Sequence, residues 1–250
     1  MKPITYLYCL VISSLLGITS LQAQNQSGED STGLPGDNFD LQGALQMFQD
    51  AASPEDFEKA INTEGNHVNN LDLDGDGNID YVRVVSKMDK EVHVFVLQVP
   101  ATSTENQDIA VIELEKTGKE TATIQIIGDE DIYGEQVIAE PDGGGEDDAY
   151  NNYSYNNNLS GPNANFDYTA TRIVVNVWLW PSVRFVYAPV YRPWVSPWRW
   201  QYYPGWWKPW RPFAWHAWHP YRVHYHRPFA VVHTHRVIRS EEHTSELVTG

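Results

Sequence analysis

The chain is 250 residues long, enough for one or two domains, and carries a net charge of −16. Its single cysteine, Cys9, lies in an amino-terminal apolar run, so the remainder excludes disulfides, a Cys nucleophile and Cys metal ligands. The net charge hides a partition: residues 1–170 hold 30 acidic and 7 basic side chains, whereas residues 171–239 hold 10 Lys/Arg and no acid. The pattern is that of an acidic module joined to a basic aromatic one.

Residues 1–23 read as a secretory signal. Lys2 gives the positive start, Ile4 to Ile18 the apolar core, and Leu21-Gln22-Ala23 the cut. The run is too short for a membrane span, so the expectation is an exported protein (periplasmic, outer-surface associated or secreted) that is not an integral membrane protein. Residues 24–38 have little apolar surface to offset the entropy of ordering and read as a disordered leader.

Residues 39–141 read as an acidic α+β domain. Leu41, Ala44, Leu45 and Phe48 recur at helical spacing. Ser53-Pro54-Glu55-Asp56 is a helix start, with Ser as cap, Pro in the first turn and acids at the positive end. Phe57, Ala60 and Ile61 continue that helix as an apolar stripe, and Gly65 marks its stop. Four β-type runs follow, 79–86, 91–99, 108–116 and 121–127, with a weaker fifth at 132–139. Two short helices on one antiparallel sheet of four to five strands bury both apolar faces. The arrangement resembles small secreted modules with a helix pair on a sheet, some of which inhibit enzymes; that likeness is one of fold.

Between helices and sheet runs Asp72-Leu-Asp-Gly-Asp-Gly-Asn-Ile-Asp80. Alternating carboxylates around a glycine turn are how a chain wraps oxygen ligands around Ca²⁺. In an EF-hand frame Asp72, Asp74, Asp76, Asn78 and Asp80 fall on ligand positions, but Arg83 stands where a bidentate Glu is required, which rejects a true EF-hand. The loop is more similar to the calcium loops of FG-GAP and VCBS repeats, where the acidic loop leads straight into a strand. That resemblance covers about fourteen residues and implies Asp72, Asp74, Asp76, Asn78 and Asp80 as calcium ligands; a single copy implies no propeller. The competing reading is a solvated acidic turn, disfavoured because crowded carboxylates repel without a cation.

Residues 142–170, rich in Gly, Asn and Asp, read as a flexible linker. Residues 171–238 hold all ten tryptophans and repeat a cation or Ser, then Pro, then an aromatic, as in Arg192-Pro-Trp194 and Lys208-Pro-Trp210. Proline at this density predicts a largely irregular, extended region with short strands at 173–180 and 183–187. Arg192, Trp194, Trp198, Arg199, Trp200, Trp206, Trp207, Lys208, Trp210 and Arg211 are its candidate envelope-binding residues. Bare aromatics in such numbers call for a partner surface. The chemistry suits anionic lipid, a charged polysaccharide, or docking on the acidic module itself. The composition resembles Trp/Pro/Arg-rich antimicrobial peptides, and the whole chain resembles uncharacterised secreted bacterial proteins with such a tail, which implies no activity. Nucleic acid also matches a basic aromatic strip, but export argues against it.

His216, His219, His224, His226, His233 and His235 form a candidate site for a transition metal, although no Cys or acid accompanies them. Arg239 to Leu247 resembles a translated sequencing-adapter read-through, so 239–250 is read as a scar. No nucleophile elbow, zinc-protease, phosphate-loop or dinucleotide motif occurs, and no acid pair stands out. The expectation is therefore a non-enzymatic, calcium-stabilised exported protein contacting the cell envelope. The alternative is a binding or inhibitory module for another exported protein, with the tail docked on the acidic domain; a carboxylate-dependent hydrolase comes third.

Overall fold

The computed structural model describes residues 31–143, 174–233 and 235–236. The linker expected at 142–170 falls almost wholly outside them, as do the expected signal and the expected terminal scar. The first helix, α1 (Leu41–Asp50), is capped by Asp40, whose side chain accepts a hydrogen bond from Gly43 N at 3.0 Å. The second, α2 (Pro54–Ile61), starts as predicted: Ser53 Oγ accepts from Asp56 N, and Pro54 occupies the first turn. Five strands follow, β1 (Arg83–Asp89), β2 (Val92–Pro100), β3 (Asn106–Gly118), β4 (Thr121–Gly128) and β5 (Val137–Pro141), with a helical turn, α3 (Glu130–Tyr133), before the last.

Consecutive strands pair antiparallel, so the sheet is a meander in chain order. Register puts Val84, Leu97, Ala110, Phe95, Ile112 and Ile126 on one face, and these belong to the main core with Leu45, Phe48, Phe57 and Ile61 of the helices. Phe48 meets Phe57 and Phe95 edge-on at 5.3 and 5.0 Å, which locks the helix pair to the sheet. The architecture is α+β, as the periodicities predict.

The sheet is larger than predicted because a sixth strand, β6 (Phe229–Val232), comes from the aromatic region and pairs with β5. That region is also more regular than its prolines suggest. It holds α4 (Pro181–Val186), α5 (Trp215–Arg222) and a 3-10 turn at Val223–His226. The strand expected at 183–187 is a helix instead. Pro181 fits the first turn, and the i, i+3 pair Val183 and Val186 is buried as a helix requires. No strand forms among residues 174–180.

The aromatic region is built into the core, together with part of the expected leader. Val177, Val183, Val186, Tyr191, Tyr225 and Phe229 lie in the same cluster as the helices and sheet. Trp218, fully buried, donates from Nε1 to Asp37 O, and Pro35–Asn38 forms a 3-10 turn rather than a disordered stretch. Ser86 N donates to Trp194 O and Ser196 N to Val84 O, so this segment covers the free edge of β1.

His93 of β2 is only 3 % exposed. It lies edge-on to Tyr187 at 4.6 Å, and burial lowers its pKa to about 4. The folded protein thus resists its protonation. The associated stability is complete above the unfolded value near 6.5 and is lost as pH falls towards 4. Relative to His93→Gln, the wild-type protein should lose about 2 kcal/mol between pH 7 and pH 4.5, measured by urea denaturation.

Candidate functional site

The acidic loop is shaped by two glycines with positive φ, Gly75 at 72° and Gly77 at 81°, which a side chain would strain. The turn brings Asp72, Asp74 and Asp80 together, with one oxygen from each lying within 4.8 Å of the others. Asp72 Oδ2 accepts from Gly77 N at 3.1 Å, while its Oδ1 is buried without a hydrogen-bond partner. Asp80 Oδ2 accepts from Leu73 N at 2.5 Å. Burial raises the Asp80 pKa to about 6, the Leu73 N–H opposes that rise, and the negative charges of Asp74 and Asp72 add to it.

Converging carboxylates, one with an unspent buried oxygen, fit a divalent cation. Asp76 Oδ1 instead accepts from Asn78 N at 2.8 Å and Asn78 Nδ2 at 3.1 Å. The five predicted ligands therefore divide into three acids that meet and an Asp76–Asn78 pair that bond each other.

The loop is clamped on both sides. Asp80 N donates to Leu71 O, and Asn69 Nδ2 donates to Asp80 O at 2.7 Å. From the aromatic region, Trp210 O accepts from Ile79 N at 2.7 Å, and Asn70 exchanges two hydrogen bonds with the Phe213 backbone. Tyr81 packs against Trp207 at 5.1 Å, and Trp207 against Tyr203 at 4.8 Å. The acidic loop and the aromatic segment 203–213 are thus one continuous structure.

The candidate envelope residues separate into two groups. Trp207 is 7 % exposed and belongs to the packing, as does half-buried Trp194, which donates from Nε1 to Glu58. Trp198, Trp200 and Trp210 are half-buried, whereas Trp206 is 47 % exposed, and Arg192, Arg199, Lys208 and Arg211 are exposed as well. Tyr202, which the Trp/Arg pattern alone does not single out, is 55 % exposed and stands 5.7 Å from Trp198.

The six histidines are scattered. His216 and His219 sit on α5, His224 and His226 on the following 3-10 turn, and His233 lies just beyond β6. His235 bonds Glu113 at 2.6 Å. Among the described residues no three of them converge as metal ligands.

One functional element has no counterpart in the sequence reading. Glu58 of α2, 2 % exposed, accepts four hydrogen bonds: Tyr81 OH at 2.8 Å and Ser196 Oγ at 2.9 Å on Oε1, Val84 N at 2.8 Å and Trp194 Nε1 at 3.2 Å on Oε2. Burial raises its pKa and these donors pull it back down. The available signal is its position on the apolar stripe, three residues before Ile61.

No helix among the described residues is long and apolar enough to cross a membrane. Compared with protein-family models, with curated proteins and with solved structures, the chain matches none.

Proposed function

We propose that this is an exported, non-enzymatic protein in which a calcium-stabilised α+β module displays a Trp/Arg-rich surface to anionic material of the cell envelope. The observation that carries this reading is the joining of the acidic loop to segment 203–213 through Ile79–Trp210 and Asn70–Phe213. A cation held there braces the surface that does the binding. An all-oxygen donor set of Asp72, Asp74 and Asp80 favours a hard ion such as Ca²⁺ over a transition metal.

The cations supply the affinity for an anionic partner. Among the described residues Arg199, Lys208 and Arg211 are exposed and pair with no carboxylate. Glu58, whose pKa burial raises, accepts four hydrogen bonds inside the fold, which supports a structural rather than a catalytic role for it.

The test is co-sedimentation of the full chain with envelope fractions in millimolar calcium. Arg199→Ala combined with Lys208→Ala is expected to weaken it at least fivefold. Unchanged binding by that variant would reject the surface assigned here. Docking of the tail on the module favours a second reading, a binding module for another exported protein, in which a protein partner is captured while protein-free envelope extracts are not.

A further inference from the structure

We propose that the anionic partner of this surface is a single chain of acidic polysaccharide, carboxylated or sulfated, seated on Tyr202 and Trp206. The inference rests on the envelope-binding reading above and narrows its ligand class.

The first argument is the pairing of rings with cations. Arg199 Cζ lies 5.2 Å from the Tyr202 ring, and Lys59 Nζ, reaching over from α2, lies 5.6 Å from the Trp206 ring. Each exposed ring therefore has a positive group over one of its faces, and exposed Lys208 and Arg211 follow in the chain. A sugar ring offers an apolar C–H face and, one bond away, a carboxylate or sulfate. Ring and cation at this separation meet both halves of such a unit, the cation by charge-assisted hydrogen bonding.

The second argument is rigidity. Arg199 and Tyr202 exchange backbone hydrogen bonds at 3.1 and 2.8 Å across a tight turn, whose Gln201 has a φ of 57°. Trp207 N donates to Pro204 O, and the Trp207 ring is anchored under Tyr81. The exposed rings are thus held in fixed places on a folded body, which lowers the entropy cost of gripping a polymer.

The third argument separates polysaccharide from bilayer. Membrane-surface segments insert a contiguous apolar face, whereas here Trp207 and half of Trp198 and Trp210 are turned to the protein.

The experiment measures binding of the full chain, in calcium, to hyaluronan, to neutral dextran and to phosphatidylglycerol vesicles. Hyaluronan is expected to bind. Trp206→Ala is expected to weaken it about tenfold, equivalent to 1.4 kcal/mol, with little change in salt dependence. Arg199→Ala with Lys208→Ala is expected to weaken it and to flatten the salt dependence. Unchanged thermal unfolding of these surface variants verifies folding. Vesicle binding without hyaluronan binding overturns the polysaccharide assignment and leaves the envelope reading standing. Dextran bound as well as hyaluronan, or an equally charged single-stranded oligonucleotide bound as well, overturns it too. Binding to none of the probes or to envelope fractions removes both.

Discussion

Replacing Glu58 by Ala should cost about 3–5 kcal/mol in denaturant unfolding, because four neutral donors lose their shared acceptor. Four donors from two separate stretches end on this carboxylate of α2: Tyr81 and Val84 flank the start of the sheet, and Trp194 and Ser196 belong to the aromatic region. Removing the acceptor leaves two hydroxyls, an indole N–H and a backbone N–H facing one another in a dry interior. Each such orphan costs about 1–3 kcal/mol when water cannot reach it.

Glu58→Gln is the informative partner variant. It keeps one oxygen but places an NH₂ against two of the donors, so it should lose about half the effect, roughly 2 kcal/mol. A purely steric role would leave Gln neutral. The loss should also be directional. Hydrogen exchange at the amides of Ser86 and Ser196, which close the edge of β1 against Trp194 and Val84, should accelerate more than exchange within β3. Uniform acceleration would mean global destabilisation without a latch.

The hub also shows where the sequence stops being legible. Helices at 41–50 and 54–61 and strands β1 to β4 follow from local signals: caps, the 3.6-residue stripe and period-two alternation in Thr121–Gly128. These need no knowledge of distant partners. β6 is four residues long, follows Pro228, and pairs with a strand some ninety positions upstream, so nothing local marks it. Similarly, nothing in Trp218 or Tyr225 distinguishes them from the exposed Trp206 and Tyr202; burial is decided by which face of a proline-bounded turn meets the module.

The charge partition suggests docking, yet opposite charges are not the main means of it. Arg222–Asp40 and Arg236–Glu140 are the Arg–carboxylate pairs across the two halves among the described residues. Most of the junction is neutral: Asn70 with Phe213, Ser86 with Trp194 and Tyr191, Tyr187 OH on Glu91 O, and Gln42 Nε2 on Phe229 O. These use backbone groups that a composition cannot display. The unpaired cations are consequently left for the outer surface, where a ligand can reach them.

The acidic loop was the most legible candidate, because its spacing is itself a geometry, and its largest expected consequence is a thermal one. Calcium at a free concentration 100-fold above its dissociation constant should stabilise the protein by about 2.7 kcal/mol. For a folded body of this size that corresponds to a rise of about 5–10 °C in Tm. At a cation site, substitution acts with opposite signs in chelator and in calcium. Ionised Asp80 is held at a cost, since burial and its acidic neighbours raise its pKa to about 6. Asp80→Asn should therefore raise Tm slightly in chelator while abolishing the response to calcium. Asp72→Asn should likewise remove the response, because Asp72 Oδ1 is the buried oxygen without a hydrogen bond. Asp76→Asn should reduce it less, as that side chain is committed to Asn78. An acidic turn with no cation would also gain from Asp80→Asn, but its wild-type melting would be the same in calcium and in EGTA. That equality would refute the metal site. The contrast between Asp72 and Asp76 carries the finer point, because a loop that merely attracts calcium by net charge would respond equally to the loss of either.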